Sequence, residues 1–225
     1  RLTAHAVQHG CAGVLMLPPF YYKDVNDEGL YRTFSEIIQR VADARLRIYL
    51  YHIPPVAVVS ISLALIERLL KAYPGTIAGV KDSSGNWQNT KAMLDAFAAS
   101  GFDVFVGSET FLLANMRHGG AGCISATANV NPAAIHRLYA TWQEASADDQ
   151  QAQLNVTRDA FGKKYTMIAA LKQAIAHFSA DPSWATVRPP LLPLTAAQVA
   201  SFVTELEAIG FTMPGLPQLQ VQAVA

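Results

Sequence analysis

The chain has 225 residues, of which 51% are hydrophobic and 15% charged, and its 17 basic and 17 acidic side chains cancel to a formal net charge of +0. This composition excludes an intrinsically disordered protein, and the neutral balance argues against nucleic acid or an anionic membrane as the main partner. The most apolar window, residues 48–66, is interrupted by His52, Pro54 and Pro55 and therefore suits a strand, a loop and a helix better than a membrane span.

Apolar runs of strand length alternate with helix-like stretches over the first part of the chain. Strands are predicted at 14–17, 48–53, 104–106 and 123–126, and another ends at Lys81. Helices are predicted at 1–9, 30–42, 62–73, 89–99 and 111–117, and one more begins at Pro132. Beyond about residue 146 only helices follow, at 148–161, 165–176 and 196–209. The predicted domains are 1–146, a parallel α/β sheet covered by helices, and 147–225, a C-terminal helical region.

Two architectures fit this alternation, an open doubly wound sheet and a closed eight-stranded barrel. No glycine-rich phosphate loop follows any strand, and small residues inside strands, such as Gly79 and Ala126, suit the crowded interior of a barrel. The carboxyl ends of the strands, where barrel enzymes collect their catalytic groups, carry a chemically rich set of side chains. These are Tyr21, Tyr22, Tyr51, Lys81, Ser108, Glu109 and Ser125.

Lys81 is the first candidate for chemistry. The alternation of a strand predicts that Ile77, Gly79 and Lys81 share one face, so Lys81 would end the strand facing the interior. A lysine partly withdrawn from water there presents the neutral amine that attacks carbonyl carbons. The alternative is that Lys81 only marks the solvent-exposed end of a core strand.

Tyr51 ends the preceding strand and is expected to face Lys81, where its phenol would pass protons while a carbinolamine forms and breaks. The alternative is an amphipathic ring with its hydroxyl in water. The histidines lack ligand spacing, which predicts no metal site. Cys11 and Cys123 form no close-spaced motif and are interpreted as buried, reduced thiols of a cytoplasmic protein.

Four motifs, in order, resemble those of the dihydrodipicolinate synthase and N-acetylneuraminate lyase family of class I aldolases, over a match that runs to about Ile209. They are Pro19-Phe20-Tyr21-Tyr22 with Glu28-Gly29-Leu30-Tyr31, Tyr51-His52-Ile53-Pro54, Gly79-Val80-Lys81-Asp82-Ser83-Ser84-Gly85-Asn86, and Gly119-Gly120-Ala121-Gly122-Cys123-Ile124-Ser125. The resemblance implies a TIM barrel, of which this numbering would hold about the last five strands (strands 4–8), with a C-terminal helical region. It also implies a homotetramer or dimer that acts without metal or organic cofactor.

The resemblance implies a role for each matching residue. Lys81 would form a covalent imine with pyruvate or another 2-oxo acid, and Tyr51 would carry protons. Tyr22 resembles the tyrosine that completes the proton relay in a neighbouring subunit. The carbonyl of Ile124 would line the pyruvate pocket, while Ser108 and Glu109 would contact the rest of the substrate.

The sequence departs from the family pattern at two places. The family's early Gly-Thr-Thr-Gly-Glu stretch is absent and the chain does not begin with methionine, so about three barrel strands are expected upstream of this numbering. The arginine expected five residues after the catalytic tyrosine, which binds the carboxylate of aspartate semialdehyde, is Val56. Because no arginine or lysine lies between His52 and Glu67, aspartate semialdehyde is expected to be a poor substrate.

The leading prediction is a pyruvate-dependent, dihydrodipicolinate synthase-like lyase. Within the family, an aldolase or dehydratase of 2-oxo-3-deoxy sugar acids is the alternative. The alternative from another functional class is a catalytically silent barrel that serves as a binding or regulatory subunit. The presence of Lys81 and Tyr51 argues against this alternative. A metal-dependent aldolase would need carboxylates and histidines clustered at the strand ends, and the sequence shows none.

Overall fold

A computed structural model describes residues 1–216, and a parallel sheet forms the centre of the first part of the chain. Its five strands are β1 (Val14–Met16), β2 (Ile48–His52), β3 (Ile77–Asp82), β4 (Asp103–Val106) and β5 (Gly122–Cys123). They lie side by side in chain order, β1-β2-β3-β4-β5. The predicted strands are confirmed, but β5 is shorter than predicted because the chain turns into a 3₁₀ helix at Ala126–Asn129.

The sequential strand order decides between the two candidate architectures. A doubly wound sheet reverses direction at a switch point, and this sheet does not. Crossovers between parallel strands are right-handed. When each crossover leads to the next strand on the same side, all the crossover helices lie on one face of the sheet. The other face then belongs to an interior, as it does for neighbouring strands of a barrel.

Six α-helices lie in this part of the chain, three of which have a side-chain N-cap. They are α1 (Leu2–Gln8), α2 (Asp27–Val41), α3 (Pro54–Ala57), α4 (Leu63–Ala72), α5 (Trp87–Phe97) and α6 (Leu112–Arg117). Ser62 caps α4, since its hydroxyl accepts from the backbone N–H of Leu65 at 3.0 Å. Helix α2 begins before the predicted residue 30, because the side chain of Asn26 accepts from the N–H of Gly29. Within residues 1–216, no helix combines the length and apolarity that crossing a bilayer requires.

The two faces of the sheet differ in burial. Ile48, Leu50 and His52 are buried and alternate with half-buried Tyr49 and Tyr51. The buried side of the sheet packs against a core that the helices supply, including Phe34, Leu65, Ile66, Leu69 and Met93. The half-buried residues therefore lie on the interior face, away from the helices.

Strand β3 does not alternate regularly. Ile48 pairs with Ile77 and Tyr49 pairs with Gly79, so Ala78 is an extra residue in the ladder. As a result Ile77 lies in the helix-side core together with Val80. The prediction that Ile77 shares a face with Lys81 is therefore wrong, because the bulge resets the alternation before Gly79.

The chain forms two compact units, and the boundary between them in the sequence lies between Ser125 and Ala126. The second unit contains α7 (Pro132–Thr141), α8 (Ala147–Gly162), α9 (Met167–Ser179) and α10 (Ala196–Ala208). Its core is aromatic, with Phe161 edge-on to Phe202 and to Phe211. The predicted boundary at 146/147 lies later in the chain, because α7 packs against α8. The last nine residues of the predicted region 147–225, 217–225, lie outside the described residues.

Both cysteines are free thiols. Cys123 is half-buried on β5, whereas Cys11 is exposed after α1. The prediction that both are buried is therefore wrong for Cys11, because it follows the helix end in a turn outside the core.

Candidate active site

Lys81 and Tyr51 lie side by side on the interior face of the sheet. Strands β2 and β3 run parallel with Tyr51 directly opposite Lys81. Lys81 Nζ donates a hydrogen bond to Tyr51 Oη at 3.0 Å and lies 4.2 Å from the centroid of the tyrosine ring. Both side chains are half-buried. The structure thus brings together the two residues whose proximity the alternation predicted, an amine and a phenol within proton-transfer reach.

Asp82 fixes the end of β3 from the other face. Its buried carboxylate accepts from Thr90 Oγ1 at 2.6 Å, Ser84 N at 2.9 Å and Asn89 Nδ2 at 3.1 Å. These bonds tie the strand end to the following turn and to the first turn of α5. Because neighbouring side chains of a strand point to opposite faces, a fixed Asp82 holds Lys81 towards the interior.

His52 takes the same anchoring position on β2 that Asp82 takes on β3. The two residues are opposite each other in the ladder and both are buried. His52 Nδ1 accepts from the backbone N–H of Ile61 at 3.0 Å, which places the proton of a neutral ring on Nε2. Burial lowers the pKa of His52, and the charge of Asp82 opposes that shift to a smaller extent. His52 therefore points away from the face of Tyr51, as the alternation of side chains along a strand requires.

Ser83 was not singled out by the sequence analysis, although it follows Lys81 by two residues and so shares its face. The ladder continues past the strand ends here, with Ser83 N bonded to His52 O and Gly107 N bonded to Asp82 O, both at 2.7 Å. A Cβ atom on Gly107 would lie 1.9 Å from Ser83 Oγ. Glycine at position 107 therefore makes the space that the Ser83 hydroxyl occupies at the carboxyl edge.

Tyr49 occupies the same face as Tyr51 but nearer the amino edge. Its hydroxyl donates to Asp103 Oδ2 at 3.0 Å. A Cβ atom on Gly13 or on Gly79 would lie 2.8 Å from the tyrosine ring, so the ring packs on the bare backbone of both neighbours. Burial and the hydrogen bond to Asp103 raise the pKa of Tyr49. The two tyrosine hydroxyls thus have different hydrogen-bond partners, Asp103 for Tyr49 and Lys81 for Tyr51.

The predicted substrate contacts beyond β4 and β5 are held by local hydrogen bonds. Glu109 is 1% exposed, and Ser125 Oγ donates to its carboxylate. Ser108 caps the turn that follows β4, where its hydroxyl accepts from Thr110 N at 3.3 Å. Ile124 N donates to Val106 O at 2.9 Å, which continues the sheet beyond β5. The substrate roles of Ser108, Glu109 and Ile124 stay predictions.

Two further predicted residues lie at this edge and are exposed to solvent, Tyr22 in the loop after β1 and Val56 in α3. Tyr22 and Val56 are each 72% exposed. The Tyr22 ring is edge-on to Tyr21, with ring centroids 5.3 Å apart. Sequence reasoning missed Lys23, whose Nζ donates to Ala57 O at 3.3 Å and so lies against the helix that carries Val56. No local signal in the sequence could pair residues 34 positions apart.

Other features lie apart from Lys81. A cavity of about 550 Å³ opens at the amino edge of the sheet, where Arg47, Tyr49 and Asp103 line it. The catalytic groups of barrels lie at the opposite, carboxyl edge. Over residues 1–216, no three His, Cys, Asp or Glu side chains lie together as a metal-binding group would require.

Comparison with known sequences identifies related proteins. The sequence model described as "Dihydrodipicolinate synthetase family" matches residues 1–209. An uncharacterized DapA-like lyase of Chloroflexus aurantiacus is 33% identical over 210 residues, which cover 92% of this chain and 68% of the relative. The 4-hydroxy-tetrahydrodipicolinate synthase of Acidiphilium cryptum is 31% identical over 213 residues, or 93% of this chain and 69% of that protein. A Rhizobium meliloti enzyme of the same name is 37% identical, over 65% of this chain and 46% of its own length.

Solved structures agree with the sequence relatives. Dihydrodipicolinate synthase from Agrobacterium tumefaciens superposes with a TM-score of 0.80 at 29% identity, over 92% of this chain and 69% of that one. YagE from Escherichia coli K12, solved in complex with pyruvate, gives a TM-score of 0.83 at 26% identity, over 93% and 70% of the two chains. These neighbours have the TIM-barrel fold, which confirms the predicted fold class. The open sheet of β1–β5 is part of such a barrel.

Proposed function

The chain belongs to the dihydrodipicolinate synthetase family, and from that premise we propose that Lys81 forms an imine with pyruvate or a related 2-oxo acid. The relatives' names identify lyases, and a class I aldolase of this kind makes or breaks a bond of the substrate through the imine. The observation that carries the proposal is the 3.0 Å hydrogen bond between Lys81 Nζ and Tyr51 Oη at the carboxyl edge of the sheet. No cofactor enters this scheme, since the protonated imine formed on the lysine withdraws the electrons itself.

The pair accounts for each step of imine formation. Neutral Nζ attacks the keto carbon, a C–N bond forms, and the carbonyl oxygen takes up a proton while nitrogen loses one. Tyr51 carries that proton, because its hydroxyl reaches Nζ directly. A proton that Tyr51 delivers to the hydroxyl lets it leave the carbinolamine as water, and the protonated imine that remains withdraws electrons from C3. Removal of a C3 proton gives the enamine that attacks an aldehyde carbon, and cleavage is the same sequence reversed.

Tyr22 supports a shared site. We expect a homotetramer or dimer in which Tyr22 extends into a neighbouring subunit's site and passes the proton on from Tyr51. The 72% exposure of the Tyr22 ring supports this role, since a tyrosine so exposed keeps its hydroxyl available to a partner. The carbonyl of Ile124, next to Ser125, would complete the pyruvate pocket. The proposed location is the cytoplasm.

The identity of the second substrate distinguishes two versions of the proposed activity. A dihydrodipicolinate synthase-like condensation with an aldehyde is the first candidate. Cleavage or dehydration of a 2-oxo-3-deoxy sugar acid is the second, and it is favoured by the apolar Val56, which offers no guanidinium to an acidic aldehyde. Ser108 and Glu109 are the proposed contacts to the remainder of the substrate in either case.

Borohydride trapping tests the proposed function. Incubation of the protein with pyruvate and borohydride should add the reduced three-carbon unit to the peptide that contains Lys81. Lys81→Arg should abolish the label, because an always-protonated guanidinium is not a nucleophile. Labelling of Lys91 or Lys172 instead, or no pyruvate-dependent label, would favour a silent barrel or a different chemistry.

A further inference from the structure

Lys23 joins the two loops that follow β1 and β2 at the carboxyl edge of the sheet. It lies between β1 and α2, and its Nζ donates to the carbonyl oxygens of Phe20 and Ala57, the latter at 3.3 Å. Ala57 is the last residue of α3, which directly follows β2. Both loops leave the carboxyl ends of strands β1 and β2, and β2 neighbours the strand of Lys81. The ammonium group is therefore attached to the same edge of the sheet as the amine of Lys81.

The charge of Lys23 is held in position but not neutralised. An ammonium group has three N–H donors, and two of them are used by uncharged carbonyl groups. In the part of the chain that the structure describes, no carboxylate pairs with Lys23, and its neighbour Asp24 is exposed. One donor and the positive charge thus remain for a ligand.

The segment that Lys23 contacts adds no competing charge, and the Lys23 side chain itself is exposed. Residues 53–62 contain no charged side chain, and Val56, next to the carbonyl that Lys23 binds, is apolar and exposed. Because two carbonyls already fix the long side chain, binding a ligand costs less side-chain entropy than it would for a free surface lysine.

We propose that Lys23 binds a carboxylate at the far end of the substrate, the end opposite the carbonyl carbon that joins Lys81. This inference rests on the proposed function and names its substrate class: an aldehyde, or a 2-oxo acid, that carries a second carboxylate. One remaining donor without a second cation in the two loops suits a carboxylate better than a phosphate, which is usually bound by several donors. Aspartate semialdehyde was expected to bind poorly because no cation lies near Val56 in the sequence. Lys23 supplies such a cation from another loop.

Matched pairs of 2-oxo acids test the proposal without requiring turnover. 2-Oxoglutarate and 2-oxopentanoate have equal chain lengths, and only the first carries a distal carboxylate; 2-oxoadipate and 2-oxohexanoate form a second, longer pair. The half-saturating concentration for borohydride trapping at Lys81 is measured for each acid and for pyruvate. For at least one pair the diacid should saturate at about tenfold lower concentration, the effect of a charge-assisted hydrogen bond.

Two variants assign that difference to the charge of residue 23. Lys23→Met should remove the preference for the diacid and leave trapping of pyruvate unchanged. Lys23→Arg should retain the preference, because it keeps the charge. The unfolding temperatures of both variants measure how much the Lys23 link between the two loops contributes to stability.

The outcomes separate the two proposals. Failure of the wild-type protein to be trapped by pyruvate would defeat the proposed function, and this inference with it. Trapping by pyruvate without a diacid preference, or with a preference that Lys23→Met retains, would overturn only the role of Lys23. Equal weakening of all acids in Lys23→Met, with a lower unfolding temperature, would show that Lys23 only links the loops.

Discussion

Lys81 Nζ lies 3.0 Å from Tyr51 Oη because β2 and β3 are parallel neighbours in a register that sets the two residues opposite each other. The contact depends on the bulge at Ala78. The bulge puts Gly79 opposite Tyr49, and the register that follows puts Lys81 opposite Tyr51. Proton transfer to or from the attacking nitrogen therefore requires no rearrangement of the backbone. The register of two strands is thus the structural origin of the proposed chemistry.

Tyr51→Phe should slow turnover by roughly 10²–10⁴-fold, the usual effect of losing a positioned proton carrier. The ring stays in place, so the free energy of unfolding should change little. Steady-state kinetics and chemical denaturation measure the two effects.

Tyr49→Phe is the matched control for Tyr51→Phe. It removes a hydroxyl from the same strand and face, but that hydroxyl binds Asp103. The loss should reduce stability by about 0.5–1.5 kcal/mol, because the half-buried hydrogen bond to Asp103 is removed, with little effect on turnover. Equal kinetic effects of the two substitutions would mean that Tyr51 contributes packing rather than proton transfer.

Gly79→Ala should destabilise the fold by about 1–3 kcal/mol, since the new methyl group overpacks the interior face. Its Cβ would lie 2.4 Å from Asp103 O and 2.8 Å from the ring of Tyr49. Gly29→Ala is the control, because its Cβ would meet only Asn26 Oδ1 at 3.6 Å. In a helix that change should stabilise by about 0.5–1 kcal/mol. Urea denaturation of both variants gives the comparison, and a neutral Gly79→Ala would contradict the packing of Tyr49.

The free energy of unfolding should fall as the pH decreases below about 6.5, the ordinary pKa of histidine. Burial lowers the pKa of His52 in the folded state. Above about pH 6.5 the ring is neutral in both states; below it, the unfolded chain binds the proton first, so unfolding becomes more favourable. The decline continues until the folded ring titrates as well. Denaturant unfolding at a series of pH values between about 5 and 7.5 measures this dependence.

His52→Asn should remove that part of the pH dependence, because an amide oxygen can accept from Ile61 N without titrating. The control is His118→Asn, which makes the same substitution at an exposed ring outside the core. If wild type and His52→Asn lose stability in parallel as the pH falls, the buried neutral ring is not the cause.

Several features of the site could be read from the sequence because they depend on local periodicity. Alternation predicted that Tyr51 and Lys81 face each other, and helix-like spacing predicted the helix at 62–73 that α4 confirms. The same alternation failed at Ile77, since a bulge is set by how one strand fits its neighbour and leaves no mark in a strand's own period. Strand β5 was predicted too long for a similar reason, because Ser125 bonds to Glu109 rather than continuing the ladder.

The sequence by itself determined the alternating strands and helices, the caps, and the choice of lysine and tyrosine at strand ends, because each depends on residues within a few positions of one another. Tertiary structure alone decided which distant groups meet. It set the strand order that excludes a doubly wound sheet, the packing of Tyr49 on the backbones of Gly13 and Gly79, and the contact of Lys23 with Ala57. Such contacts depend on how strands and loops are arranged in space, and no short-range pattern encodes that arrangement.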